Sequence, residues 1–413
     1  MKIVHFADTH IDMISQGRRD PASGLPIRVL DFLKALDEIV DTAIREHADL
    51  VLFAGDAYRD RTPVPTFQRE FGKRIMRLSD ARVPTLLLVG NHDLSPAFGR
   101  AHALQEFETL QVPHVRVSRM PELFGPGELF GAPVQVLTLP WLNRSGLMSV
   151  KEPAGEPAQD IFTQMETAVN ETVARLLEKA QPDLPLILAA HASVQGALYG
   201  AERSVMLGGD LVLSGSLVRN PRFSYVALGH IHKAQNLNEG LQPPVVYPGS
   251  IERVDFGEVA DEKKFVIAHV QLGEATRVEW RKLPGRRFID KSVKVEKPDE
   301  IMPACLAALP GPDELRDAIV RLSVAYPHEY EALLDETELR RRAESAFEFH
   351  FQRRPQMKSR VRLPEDQNLT SLSPLEMLDV YWRTKQGQPE NVEELQKLAA
   401  EIISQSMQPA GSE

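Results

Sequence analysis

Eight polar side chains stand where short apolar runs stop: Asp8 and His10 after residues 2–7, Asp56 after 49–54, Asn91 and His92 after 86–89, His191 after 186–190, and His230 and His232 after 225–228. Each carries a nitrogen or oxygen able to bind a cation or move a proton. Alternate residues of an extended chain point the same way, so Asp8-Thr9-His10 and His230-Ile231-His232 can each converge on one site. Gly55, Gly90 and Gly229 allow tight turns and close approach. Carboxylate, amide and imidazole donors without a thiolate suit Mn, Fe, Mg or Zn in a catalytic site better than a structural thiolate zinc site. Seven such ligands exceed what one open catalytic ion needs. Two ions about 3.5–4 Å apart would activate water and stabilise both oxygens of an in-line phosphoryl displacement. Asn91 can offer only its carbonyl oxygen to a metal, which leaves neighbouring His92 free for proton transfer. Taken singly, an aspartate at a strand end is an ordinary turn cap; the recurrence of the layout carries the argument.

The elements that must position these residues alternate. Residues 28–47 repeat Val29, Phe32, Leu33, Leu36, Ile39, Val40, Ala43 and Ile44 at helical spacing between the strands 2–7 and 49–54. A second helix, 66–79, leads to the strand 86–89. Two βαβ units imply a parallel sheet with the polar tips at its carboxyl edge, where open α/β sheets collect ligands. Further strands at 133–139, 186–190, 225–228, 245–247 and 264–270, with a helix at 160–180, predict two sheets face to face with helices outside. The composition shifts near 265. Residues 1–264 are expected to form the α/β catalytic domain, 265–352 a smaller α+β capping domain, and 353–372 a polar linker with Pro355 and Pro364. Residues 373–413 are expected to form a helical tail. It opens on Ser373-Pro374-Leu375-Glu376, a serine cap with proline at the first position and a capping-box glutamate, and holds a second helix at 392–405.

The 413 residues are 43% hydrophobic, enough for a buried core and two or three domains. The single cysteine, Cys305, excludes an internal disulfide framework and suits a reducing compartment. No basic leader with an apolar run and no membrane-length apolar run is present. The expectation is a soluble, cytoplasmic protein with no membrane partner. A formal net charge of −10 argues against a whole-chain basic footprint for nucleic acid, though local basic patches and bound cations can still act. Candidate patches are 281–291 and 353–360.

In order along the chain, Asp8-x-His10, Gly55-Asp56, Gly90-Asn91-His92-Asp93, His191 and Gly229-His230-x-His232 resemble the five motifs of calcineurin-like metallophosphoesterases. Tyr247-Pro248-Gly249-Ser250-Ile251-Glu252-Arg253-Val254-Asp255-Phe256-Gly257-Glu258 further resembles the Gly-Ser-x-x-Arg-x-x-Phe-x-Glu signature of the SbcD-type DNA-repair nucleases, the bacterial counterparts of the meiotic-recombination-eleven nuclease. The resemblance covers residues 1–290 and implies a four-layer αββα sandwich. It implies that Asp8, His10, Asp56 and His232 hold one divalent ion and that Asp56, Asn91, His191 and His230 hold another. Mn²⁺ is expected first, with Mg²⁺, Fe²⁺ or Zn²⁺ as alternatives. It makes His92, oriented by Asp93, the donor of a proton to the leaving oxygen. The implied activity is DNA hydrolysis in double-strand-break repair and recombination, by exonuclease action on duplex ends and endonuclease action on single strands or hairpins. The implied partners are DNA, an SbcC-like coiled-coil ATPase docking on the tail, and a second copy meeting through 66–79 and 94–110. A small-molecule or nucleotide phosphodiesterase with the same core is the alternative. Two positions depart from the pattern. Asp12 replaces a usual glycine, and Tyr58-Arg59-Asp60 replaces Phe followed by Asp or His. Arg59 and Arg253 are the candidate substrate contacts.

Overall fold

The structure, a computed structural model, describes residues 1–13, 18–94, 100–142, 158–200, 211–356, 373, 375–378 and 392–406. The chain opens with β1 (Lys2–Phe6), α1 (Ile27–Arg45), β2 (Leu50–Phe53), α2 (Pro65–Asp80) and β3 (Thr85–Leu88), the two expected βαβ units. Next come α3 (Gln105–Thr109), β4 (Val115–Ser118), β5 (Glu122–Phe124), β6 (Gln135–Leu139), α4 (Ala158–Lys179) and β7 (Leu186–His191). After the small pair β8 (Ser193–Val194) and β9 (Val212–Leu213) follow α5 (Gly215–Val218), β10 (Tyr225–Gly229), β11 (Gln235–Asn236), β12 (Val245–Tyr247), β13 (Lys264–His269) and β14 (Arg277–Lys282). They form two six-stranded sheets, ordered β14-β13-β1-β2-β3-β4 and β11-β12-β10-β7-β6-β5. The inner strands run parallel, and β13, β14, β5 and β11 close the edges antiparallel.

Period-2 alternation builds the layers. Val4, Phe6, Val51, Phe53, Leu87 and Val89 pack on one side of the first sheet with the buried stripe of α1 and with Phe71 and Ile75 of α2. Their sequence neighbours Ile3, Leu50, Leu52, Leu86 and Leu88 instead meet Ile187, Ala189, Tyr225 and Ala227 of the second sheet. The other face of that sheet, including Leu188, Val226 and Leu228, packs with Met165, Val169 and Val173 of α4. The result is the four-layer αββα sandwich. Strands buried on both faces explain why they appear in the sequence as continuous apolar runs.

The expected boundary at 265 is corrected. Residues 265–282 belong to the first sheet, because Phe265 and Ile267 join the helix-side core while Val266 and Ala268 join the layer between the sheets. The first compact unit comprises Met1–Asp290, Arg316–Val320 and Ala346–Glu348; the second comprises Lys291–Leu315, Arg321–Ser345 and Phe349–Glu413. A three-stranded sheet of β15 (Phe288–Lys294), β16 (Ile319–Pro327) and β17 (Glu348–Gln356), in the order β15-β16-β17, gives the second unit most of its strand content. Helices Ile301–Ala308 and Glu336–Arg342 pack together there and bury Ile301, Cys305 and Leu339. In the tail, Ser373 and Glu376 exchange the two capping-box hydrogen bonds. The linker expected at 353–372 is corrected at its start, because residues 353–356 are the end of β17; residues 357–372 lie outside the described residues. No helix among the described residues is long and apolar enough to cross a membrane.

Polar side chains also enter the layer between the sheets, His5 among them. His5 is fully buried, with Nδ1 2.9 Å from Tyr225 Oη and Nε2 3.2 Å from the Leu228 carbonyl of the opposite sheet. Burial pulls its pKa down to about 3, against the smaller opposing effect of the Leu228 carbonyl. An unfolded His5 takes up a proton near pH 6.5, whereas the folded one refuses it until about pH 3. Stability from this residue is therefore lost as pH falls through that window, by about 1.4 kcal/mol per unit. His5→Gln should be less stable than wild type near neutrality but show a shallower acid slope. Denaturant midpoints of both proteins between about pH 4 and pH 8 check this; parallel slopes would clear His5 of the effect.

Candidate metal centre

The first strand tip is zipped to the second. Asp8 N–H donates to the Gly55 carbonyl, Thr9 to Asp56 and Ile11 to Ala57, at 2.9, 2.9 and 3.2 Å. This places Asp8, His10 and Asp56 side by side, but at a backbone cost. All three lie at positive φ (51°, 36° and 63°), as does His230 at 100°, in the region that L side chains avoid. Room is equally tight. A Cβ on Gly90 would lie 2.1 Å from Asp56 Oδ1, and one on Gly55 would lie 2.3 Å from His191 Nδ1. Any side chain at either position would displace a ligand.

Two groups of donors result. Ligand atoms of Asp8, His10 and His232 lie within 4.8 Å of one another, as do those of Asp56, His191 and His230. Asp56 Oδ2 is 3.4 Å from His191 Nε2 and 3.9 Å from His10 Nε2, so it reaches both groups. Asn91 Oδ1 stands 3.0 Å from His191 Nε2 and from His230 Nδ1. The seven residues expected to be ligands are thus gathered at one place.

Their protonation shows what the place is for. His10 Nδ1 faces the Tyr58 carbonyl at 3.2 Å, His191 Nδ1 the Ala54 carbonyl at 2.6 Å, and His232 Nδ1 a Glu258 oxygen at 2.7 Å. Those partners only accept, so each Nδ1 holds a hydrogen and each Nε2 is the ring nitrogen turned toward the other donors. The Nε2 atoms of His10 and His232 then face each other at 3.1 Å. His191 Nε2 faces the oxygens of Asn91 and Asp56. Burial disfavours charge on His191, but the Asp56 carboxylate outweighs it and raises its pKa to about 9, so a divalent cation would take the place of the Nε2 proton. Burial pushes the Asp8 carboxyl up to about 7 against the opposing pull of His191 and His232, and pushes His10 down to about 3. Burial also disfavours charge on Asp56, but the neighbouring His191 outweighs it and holds that carboxyl below its usual range. The donor set fits two divalent cations.

His92 sits beside these groups, its ring 5.2 Å from that of His10 and its N–H 2.9 Å from Asp56 Oδ1. Its Nδ1 is held by the Arg59 carbonyl at 2.6 Å. The expected orientation of His92 by Asp93 is corrected here. The Asp93 carboxylate accepts instead from the backbone N–H groups of Asp56, Gly90 and Ala57, at 2.9, 2.9 and 3.0 Å. Arg253, expected at the substrate, donates to the carbonyls of Arg286 and Asp261 and fastens local backbone. Four cations of the basic stretches have partners the sequence does not reveal: Arg281 pairs with Glu46, Lys282 with Glu262, Arg286 with Asp31, and Arg353 with Glu336, while residues 357–360 lie outside the described residues. Arg59 lines the cavity beside His92.

Three contributions escaped the sequence reading, including that of Glu258, whose place in the signature at 247–258 gave no role. Glu258 holds His232 from behind and is itself held by Lys263 Nζ at 2.8 Å. Burial opposes charge on Glu258, but the His232 bond and the Lys263 cation outweigh it and draw the carboxyl to about 2. A carboxylate behind a ligating imidazole fixes its tautomer and ring plane. Trp141, two residues beyond β6, packs against the His230 ring with centroids 4.9 Å apart and planes tilted by 44°. Its position just past a strand end was the available signal.

Asp93→Ala should leave three backbone donors without their acceptor. At about 1–3 kcal/mol for each buried donor left unsatisfied, it should unfold several degrees earlier and lose metal. His92→Ala should keep both fold and metal content. Thermal unfolding with elemental analysis of the two purified variants checks this, and an Asp93→Ala protein as metal-replete as His92→Ala would contradict the assigned role.

A sandwich of this topology with such a donor set defines a metal-dependent phosphoester hydrolase. Residues 1–234 match the calcineurin-like phosphoesterase family, and the chain belongs to it. It is 30% identical over 292 residues to the SbcD component of the SbcCD nuclease of Rhodobacter capsulatus, covering 67% of this chain and 68% of that protein. It is 24% identical over 290 residues to the SbcD component of the Bacillus subtilis SbcCD nuclease, covering 66% of this chain and 67% of that one. It is 26% identical over 312 residues to the DNA double-strand break repair protein Mre11 of Archaeoglobus fulgidus, covering 71% of this chain and 63% of that one.

Proposed function

We propose that this phosphodiesterase is a DNA nuclease and the nuclease component of an SbcCD-type complex, cutting duplex ends exonucleolytically and single strands or hairpins endonucleolytically during repair and recombination. The observation that carries the reading is the pair of donor groups sharing Asp56, with His92 alongside. Asp8, His10, Asp56 and His232 would hold one ion, and Asp56, Asn91, His191 and His230 the other, with Mn²⁺ as the expected metal. When bound, two such ions lower the pKa of water and neutralise the phosphate oxygens of an in-line displacement. In the overall reaction water adds to phosphorus, the P–O ester bond breaks, and a phosphomonoester and an alcohol are released. His92 would supply the proton that the leaving oxygen takes. The Arg59 carbonyl keeps one hydrogen on Nδ1 and so makes Nε2 the transferring atom.

The DNA preference rests on the named relatives, on the signature at 247–258, and on an open cavity of about 1130 Å³ beside His92 that includes Arg19, Arg59, Arg61 and Arg69 in its lining. Local cations of this kind offset the chain's overall negative charge for a phosphate backbone. Mn²⁺ should support cleavage of end-labelled duplex and hairpin DNA. His92→Ala should bind its metals yet lose about 10²–10⁴-fold in turnover. Turnover of small phosphodiesters or nucleotides with no cleavage of DNA would favour the alternative reading, and full activity of His92→Ala would remove the acid.

The tail is proposed as the docking element for a coiled-coil ATPase, and the smaller second unit as a cap over bound DNA. Helix Val392–Ser406 exposes Leu398 and Ile402 at 56% and 58% of their surface, an apolar stripe that an amphipathic partner would cover. A homodimer through 66–79 and 94–110 belongs to the same proposal; residues 95–99 lie outside the described set. Deleting 371–413 should abolish co-purification with an SbcC-type ATPase while leaving Mn²⁺-dependent cleavage of short DNA intact. Unchanged binding would exclude the tail.

A further inference from the structure

Asp12, at the position where the family pattern has glycine, uses both carboxylate oxygens on one loop. Oδ1 accepts the Arg59 N–H at 2.5 Å and Oδ2 the Asp60 N–H at 2.9 Å. The next residue, Met13, receives the Arg59 guanidinium on Sδ at 3.3 Å. The Asp60 N–H and the Arg59 carbonyl belong to the same peptide unit. One side of that peptide is therefore bound by Asp12, and the other accepts Nδ1–H of His92 at 2.6 Å. A carboxylate on the N–H side fixes the plane of the peptide. It also polarises the amide, which makes its carbonyl a stronger acceptor. A glycine at position 12 would supply neither effect.

We propose that Asp12 is a positioning residue for His92, acting through the Arg59–Asp60 peptide to hold the ring and keep a hydrogen on Nδ1. This rests on the reading of His92 as the proton donor to the leaving oxygen, and it gives that donor its support. Asp93 does not compete for the role, because its oxygens face the amides of Asp56, Ala57 and Gly90. Nor is the loop held for the sake of the fold. Residues 59 and 60 are exposed, so their N–H groups can turn to water when the acceptor is lost.

The test separates proton delivery from general support by the leaving group. Full-length, Mn²⁺-loaded wild type, Asp12→Asn, Asp12→Ala, His92→Ala and Asp12→Asn/His92→Ala are compared on two esters of thymidine monophosphate. The p-nitrophenyl ester expels a phenolate that needs little protonation; the dinucleotide expels an alkoxide that needs a proton. Asp12→Asn should lose at least about tenfold more kcat on the dinucleotide than on the aryl ester, a part of the ~10²–10⁴-fold that proton delivery is usually worth. It should retain wild-type metal content, and in the His92→Ala background it should add no further selective loss. Equal losses on both esters, no loss on either, or additive selective losses in the double variant would overturn the proposal. If His92→Ala is selective and neither Asp12 variant is, this proposal alone fails. If His92→Ala shows no selectivity, the assignment of His92 fails and takes Asp12 with it.

Discussion

Asp93 takes up three backbone N–H groups from two different strand tips, those of Asp56 and Ala57 after β2 and that of Gly90 after β3. The rest of the centre depends on this contact. It ties the turn after β3 to the turn after β2, and so brings Asn91 and His92 to Asp56. Burial and the nearby Asp56 charge push the Asp93 carboxyl up to about 7, so keeping it ionised is costly. Three charge-assisted bonds in a dry setting offset that cost and hold Asp56 at its unfavourable φ of 63°. A neutral residue of similar size could fill the space but could not accept three donors at once.

The layout of the sandwich was legible because its strands are buried on both faces and its helices on one. Apolar runs of period two and stripes of period 3.6 therefore marked the elements, and parallel strands brought their polar tips to one edge. What the sequence could not show was the partner of each polar side chain. Asp93 lies beside His92 in the chain, so orientation of the ring was the natural expectation, yet two of its three donors stand 36 and 37 residues upstream. Arg253 and Arg286 looked available for phosphate, but carbonyls on folded-back loops and Asp31 in α1 claim them. The edge strand β14 was placed in another domain because its alternating composition suits any half-buried sheet. Only the antiparallel registers of β14 with β13 and of β13 with β1 assign it.

Charge at the centre is arranged from the outside inward. An outer set of acceptors (the Tyr58 and Ala54 carbonyls and the Glu258 carboxylate) holds the Nδ1 hydrogens of His10, His191 and His232. That turns their Nε2 atoms toward one another and toward Asp56 and Asn91. The histidines are thus oriented by the fold itself, with Nε2 as the nitrogen that would face a cation. Lys263, itself buried, balances Glu258 and so keeps the outer set from adding an uncompensated negative charge beneath His232. Beside these residues lies a cavity with Arg19, Arg59, Arg61 and Arg69 in its lining, and His92 is part of its wall.

Asn91, His92 and Asp93 show how one tight turn divides three tasks among consecutive residues. Successive side chains on such a turn diverge, so a single backbone path can send an amide oxygen to the cation groups, an imidazole to the open cavity and a carboxylate into the protein. The division needs the backbone of β3 to approach Asp56 more closely than any side chain permits, and this is why Gly90 precedes the turn. A longer loop could carry the same three residues, but it would lose the fixed spacing between ligand and proton donor. That spacing is set by the fold beneath it, from Asp93 below and from the Arg59 carbonyl at the side, and not by contact between His92 and its neighbours in sequence.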